Sequence, residues 1–179
     1  MKIGVFCSSS DKLPTQYYDA AVQLGRWIGE NGHTLVYGGA RCGLMESVAT
    51  AVRHSGSINV IGVVPKILID RDMVSQQIGI KIPTENLTDR KTWMMKISDV
   101  FVALPGSVGT LDEAFTVIGE ASIGNSTKRV IFWNVDHFWD GLFAMLDSMQ
   151  QAGAVNKPLD RFMIKVDTFD QLTNALAGN

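Results

Sequence analysis

The chain is poor in residues that would staple it or anchor it to a surface. Its two cysteines, Cys7 and Cys42, are too few and too far apart for a disulfide framework or a C-x-x-C metal knuckle. The three histidines, His33, His54 and His137, show no ligand spacing and no H-E-x-x-H helix, so nothing calls for a metal. Neither charge sign dominates. With 16 basic and 18 acidic side chains the formal net charge is −2, and no basic stripe stands ready to displace counterions from nucleic acid. No apolar run approaches the roughly 18 to 20 residues that span a bilayer. The opening Met1-Lys2-Ile3-Gly4-Val5-Phe6-Cys7 is short for a secretory segment and lacks a cleavage site. These absences lead to the expectation of a cytoplasmic chain with reduced thiols and no nucleic-acid or membrane partner.

What is present is a core. Hydrophobic residues make up 46% of the 179, and a chain of this size buries roughly 70% of its unfolded surface without needing disulfides or metal. No repeat, low-complexity tract or linker divides it, so residues 1–179 are expected to form a single domain. Short β-branched runs at 2–7, 34–37, 59–64, 100–104, 130–133 and 162–166 alternate with amphipathic stretches at 17–30, 45–54, 86–98, 110–124, 136–151 and 168–177. That alternation predicts an α/β fold, a parallel sheet with helices on both faces. Residues 65–79 carry no clear period.

In such sheets ligands bind where loops leave the carboxyl ends of the strands. Three of these loops are small and polar: Cys7-Ser8-Ser9-Ser10, Gly38-Gly39-Ala40-Arg41-Cys42-Gly43 and Pro105-Gly106-Ser107-Val108-Gly109-Thr110. Each leads toward a helix start, where exposed amides and the helix dipole favour an anion such as phosphate. Familiar alternatives are missing. No G-x-G occurs anywhere, which removes the dinucleotide fingerprint, and no G-K-[ST] follows the third loop, which removes a phosphate loop of the NTPase kind. A G-x-S-x-G elbow is also lacking.

The most informative stretch runs from Asp89-Arg90-Lys91 through the strand at 100–104 to Gly106-Ser107-Val108-Gly109-Thr110-Leu111-Asp112-Glu113. Adjacent helical positions lie about 100° apart, so Asp112 and Glu113 cannot both face one ligand. Thr110 and Glu113 also have the spacing of a capping box, which would give them a purely structural task.

This segment resembles the P-G-G-x-G-T-x-x-E motif of the Lonely Guy (LOG) family, long labelled lysine decarboxylase-like. Phe6 to Ser10, Tyr37 to Met45, Gly62 to Lys66, the Arg90-Lys91 pair and Asn134-Val135-Asp136 resemble further family motifs, so the likeness covers nearly the whole chain. It implies a Rossmann-like homodimer that needs no cofactor and hydrolyses the N-glycosidic bond of a nucleoside 5′-monophosphate, AMP or a cytokinin riboside monophosphate. The products would be free base and ribose 5-phosphate. By the same likeness Arg90 and Glu113 are the catalytic pair, and Gly106, Gly109 and Thr110 hold the 5′-phosphate. Ser8, Gly38, Gly39, Lys91, Ser107 and Val108 join them in the substrate site. The chain departs from the pattern at Ser107, where the family has glycine, and at Val108, Asp89 and Glu120; Arg41 is offered as an added anion contact. Those departures keep a second reading open, a nucleotide- or phosphoribosyl-binding module without catalysis. Decarboxylation would need pyridoxal phosphate on a lysine, and no lysine sits in a motif that requires it. Cys7 and Cys42 read as packing residues.

Overall fold

The computed structural model describes residues 1–178; Asn179, the last residue of the expected domain, lies outside them. Seven strands form one all-parallel sheet: β1 (Lys2–Phe6), β2 (Thr34–Tyr37), β3 (Val60–Pro65), β4 (Ile80–Thr84), β5 (Val100–Ala103), β6 (Val130–Trp133) and β7 (Met163–Val166). Their spatial order is β4-β3-β2-β1-β5-β6-β7. The helices between them are α1 (Thr15–Glu30), α2 (Gly43–His54), α3 (Lys66–Asp70), α4 (Leu87–Ile97), α5 (Val108–Ser122), α6 (Asp140–Gln151) and α7 (Phe169–Ala177).

Strand alternation sends side chains to two cores. Ile3 and Val5 of β1 join Leu24 and Ile28 of α1, Val48 and Val52 of α2 and Leu172 of α7 on one face. Phe6 points the other way, onto Met94 of α4, Val117 of α5 and Leu146 of α6 through a layer containing Phe101 and Phe132. Phe6 and Phe101 stack at 5.0 Å. The expected parallel sheet covered on both faces is therefore the observed one.

Among the differences from the sequence expectation, α1 and α2 each start two residues early, at Thr15 and Gly43, the short α3 lies in the stretch with no clear period, and three more bear on the site. The strand β4 was not anticipated, because Pro83 and a mostly exposed pattern mask a strand that pairs only with β3 at the sheet edge. The predicted helix at 136–151 begins only at Asp140: Asp136 and His137 adopt left-handed backbone (φ 50° and 60°) in a short 3₁₀ turn. Buried Asn134 organises that turn, donating to Asp140 (2.8 Å) and Asp167 (2.7 Å) and accepting from the Trp139 amide (2.7 Å). Third, α5 starts at Val108, two residues before the expected 110. Among the described residues no helix is long and apolar enough to cross a membrane.

Candidate active site

The strand order reverses direction at β1, which has β2 on one side and β5 on the other, and open α/β sheets place their ligand crevice at such a point. All three loops singled out in the sequence meet there. The Ser8 amide donates to the Pro105 carbonyl across the gap (3.1 Å), and the Ser8 carbonyl accepts from the Leu44 amide (3.0 Å). Asp11 receives the Gly43 amide at 2.7 Å. Gly43 adopts φ +55°, and a β-carbon there would stand 2.6 Å from the Ser9 backbone, so the first two loops touch through a residue that must be glycine.

The third loop runs into α5. Its first helical bond joins the Leu111 amide to the Ser107 carbonyl (3.0 Å), and Ser107 makes no side-chain cap. The amides of Val108, Gly109 and Thr110 are thus open at the start of a 15-residue helix, where its dipole adds about half a positive charge. This arrangement overturns the capping-box reading. Thr110 is the third helical residue, and Glu113, a turn further on, is engaged elsewhere.

That engagement is with Arg90. Asn86 caps α4 by accepting the Asp89 amide (2.9 Å), which sets the helix start and aims Arg90 at α5. Nη2 of Arg90 donates a hydrogen bond to Oε1 of Glu113. Both side chains are largely enclosed, Glu113 only 3% exposed. Among the described residues Oε2 of Glu113 accepts no hydrogen bond, and the Nε of Arg90 is buried with no partner. An orphaned buried donor costs about 1–3 kcal/mol, a sign that Arg90 is placed for chemistry at some expense to stability. Burial lifts the Glu113 carboxyl above its ordinary value, Arg90 works against that lift, and the neighbouring Asp112 adds to it. A buried carboxylate with a raised pKa at the strand ends suits general acid–base work.

The glycines separate into distinct tasks. Gly38 lacks a side chain where Arg90 passes, and Gly109 has nothing within 4 Å of a virtual β-carbon, open space beside the free amides. Gly39 and Gly106 serve packing instead: added β-carbons would meet Val64 at 2.6 Å and the Thr110 hydroxyl at 2.0 Å. The Ser8 hydroxyl is occupied in a local turn, accepting the Ser10 amide (3.1 Å). Val108 turns its side chain to solvent, 80% exposed, and contributes its amide alone. Lys91 pairs with Asp112 at 2.7 Å. Arg41, offered as an anion contact, is turned away to the Asp72 carbonyl (2.7 Å), in a strap whose Val74 bridges Ala40.

One side chain escaped the sequence reading, and Cys7 is the buried packing residue it was expected to be. Asp11 closes one loop on another, and its partner lies 32 residues away, beyond any local motif. Cys7, at the end of β1, is buried close enough to Glu113 for that carboxylate, after burial itself, to help push its thiol well above the ordinary range. No group of His, Cys, Asp or Glu among the described residues could hold a metal. Clefts of about 330 and 370 Å³ open beside α6 and at the end of α5, lined respectively by Phe143 with Met163 and by Ile118 with Phe162, away from this chemistry.

Comparison with known proteins agrees with the geometry. The family described as "Possible lysine decarboxylase" matches residues 45–176. Cytokinin riboside 5′-monophosphate phosphoribohydrolase LOG2 of Arabidopsis thaliana is 38% identical over 98% of this chain and 82% of its own. The LOG enzyme of Oryza sativa subsp. japonica is 38% identical over 96% of this chain and 70% of its own. Among solved structures, the molybdenum cofactor binding protein of Rippkaea orientalis shares the fold (TM-score 0.75, 22% identity, 99% of this chain and 95% of that one). The Moco carrier protein of Chlamydomonas reinhardtii does likewise (TM-score 0.74, 21% identity, 99% and 95%). Identity of 38% sustained along nearly the whole chain, with the Gly106–Glu113 motif folded at the strand ends, shows that the protein belongs to the LOG family, whose curated members are named as phosphoribohydrolases.

Proposed function

We propose that this crevice binds a nucleoside 5′-monophosphate and hydrolyses its N-glycosidic bond, releasing free base and ribose 5-phosphate. The observation that carries the reading is the enclosed Glu113 carboxylate, held by Arg90 through one oxygen, beside the three unpaired amides of α5. The amides of Val108, Gly109 and Thr110 receive the 5′-phosphate, with Gly106 and Ser107 shaping the turn that presents them. Ser8, Gly38 and Gly39 frame the opposite wall, and Lys91 adds positive charge at the rim. The ribose then lies toward Glu113.

Cleavage of the C1′–N bond passes through an oxocarbenium-like state whose positive charge is best met by a fixed, poorly solvated carboxylate. Arg90 fixes Oε1 and leaves Oε2 free for the sugar and for water. The bonding pair departs with the base, water adds at C1′ and gives a proton to Glu113, and the base takes a proton from solvent as Glu113 returns its own. No metal or organic cofactor is needed for these steps.

The chain acts as a single domain, in the cytoplasm, as a homodimer; Leu87, Trp93 and Val108 leave apolar surface exposed along α4 and the start of α5. Sedimentation at micromolar concentration tests the dimer. The central experiment is incubation with AMP and with isopentenyladenosine monophosphate, followed by chromatography for base and ribose 5-phosphate, with Glu113→Gln as control. Base released by wild type alone supports hydrolysis and ranks the substrates. Saturable AMP binding with no release transfers the reading to the non-catalytic binding module.

A further inference from the structure

Arg90 and Glu113 are not an isolated pair. The next residue of α4, Lys91, reaches the preceding residue of α5, Asp112, at 2.7 Å. Two consecutive residues on one helix therefore cross-link two consecutive residues on the other in opposite sequence sense, an inner pair and an outer one. The inner pair is enclosed. The outer pair is graded toward solvent, Lys91 at 17% and Asp112 at 53% exposure.

The helix that carries Arg90 needs such a fastening. Among its described residues Met94 alone is fully buried, Met95 and Ile97 pack half-buried against the same core at its C-terminal end, and Leu87 and Trp93 are exposed. Those apolar contacts lie beyond Arg90 and Lys91, so the first turns of α4 are not fixed by apolar packing alone. Its polar ties to α5 are Arg90 and Lys91. Arg90 also brings an unpartnered buried Nε, so its own placement is costly.

We propose that Asp112 is a positioning residue: by holding Lys91 it fixes the register of α4 on α5 and so keeps Arg90 on Glu113. The inference rests on the hydrolase reading for its kinetic consequences, but its structural core does not depend on it. Asp112 touches neither substrate nor the reacting atoms in this account; it acts through Lys91.

The outer pair is also electrically compensated with respect to Glu113. The charged and titratable groups around that carboxyl are Arg90 and Lys91 on α4, Asp112 on its own helix and the Cys7 thiol at the end of β1; β5 and β6 contribute none. Asp112 disfavours the ionised carboxyl and Lys91 favours it. Losing one member alone leaves the other uncompensated. By charge alone Asp112→Asn would lower the Glu113 midpoint, whereas release of Arg90 from Glu113 raises it, so the direction of the shift separates positioning from charge.

The test uses full-length protein in two independent measurements. Carboxyl resonances of ¹³C-labelled glutamate, with Glu113 assigned by its loss in Glu113→Gln, are followed through a pH titration in wild type, Asp112→Asn, Lys91→Gln and the double variant. AMP hydrolysis by the same proteins and by Asp112→Glu gives kcat and KM separately. The expected result is a raised Glu113 midpoint in Asp112→Asn, in Lys91→Gln and in the double variant, because each releases Arg90 from Glu113. In Asp112→Asn, kcat should fall about tenfold with KM little changed, because sub-ångström misplacement acts on the reacting geometry, and Asp112→Glu should restore most of it. A midpoint in Asp112→Asn that falls or stays unmoved, with kcat within about twofold of wild type, would overturn the proposal. Absence of turnover in wild type would instead remove the hydrolase reading, leaving the titration to decide the role of Asp112. Circular dichroism melts establish that each variant is folded.

Discussion

A β-carbon on Gly38 would stand 3.2 Å from Nη1 of Arg90, although Gly38 does not adopt a left-handed backbone that would itself demand glycine. The missing side chain at the end of β2 is space for a guanidinium delivered by α4. The second strand loop thus serves the Arg90–Glu113 pair by leaving room for it, and Gly38→Ala should lower AMP turnover about tenfold with a small change in melting temperature. Turnover equal to wild type would mean that Arg90 does not depend on that space.

Glu113→Gln keeps shape and one acceptor but removes the charge. Turnover of AMP should fall at least a hundredfold while AMP binding, read by calorimetry, stays within about threefold, because the lost interaction develops in the transition state. Glu113→Ala is a harsher change. It strands Arg90 as a buried unpaired charge and should cost about 3–5 kcal/mol in urea unfolding as well. Equal kinetics in wild type and Glu113→Gln would exclude Glu113 from the chemistry.

The raised Glu113 carboxyl, lifted mainly by burial, makes a signed prediction. If the ionised form is the active one, the acid limb of the rate profile should lie above the usual carboxylate range. The folded state binds this proton more tightly than the unfolded chain, so Glu113 favours folding below its unfolded pKa and loses that contribution as pH rises through its folded pKa. Unfolding free energies measured across this range should fall less steeply with pH in Glu113→Gln than in wild type.

Two glycines of the same loop should answer alanine in opposite ways. Gly106→Ala places a carbon 2.0 Å from the Thr110 hydroxyl and should destabilise by about 1–3 kcal/mol. Gly109→Ala meets nothing and sits in a helix, so its melting temperature should hold or rise, while AMP binding weakens about tenfold if the phosphate occupies that open space. Thermal melts and calorimetry on the two proteins separate packing from binding.

Both thiols should be inert in the native state. Burial is the leading cause that raises Cys7 well above its ordinary value, and burial with Asp11 and Glu46 raises Cys42. Iodoacetamide at neutral pH should label neither within an hour and both in denaturant. Rapid native labelling of Cys7 would mean that the crevice opens to the end of β1.

Periodicity made much of this molecule legible before any coordinates. Six strand runs and six helical stretches were visible because a buried parallel strand is a short apolar run and a covering helix repeats every 3.6 residues. The strand at 80–84 was not, since an edge strand with Pro83 carries little apolar pattern. The start of α6 was hidden for a different reason. Left-handed Asp136 and His137 depend on Asn134, whose bonds reach to Asp167. The loop glycines all looked like ligand contacts in sequence, yet Gly39 and Gly106 turn out to be filled from behind by Val64 and Thr110.

By itself the sequence determined the fold class, the strand-end loops and the identity of the chemical groups, because these follow from local period and from residue type. Which groups meet was decided by the tertiary structure alone. Arg90 finds Glu113 and Lys91 finds Asp112 across 23 and 21 residues, Arg41 is diverted to Asp72, and Gly109 is left open while Gly106 is closed. Those outcomes depend on how two helices cross at the reversal of the sheet, a long-range geometry that no stretch of the chain encodes locally.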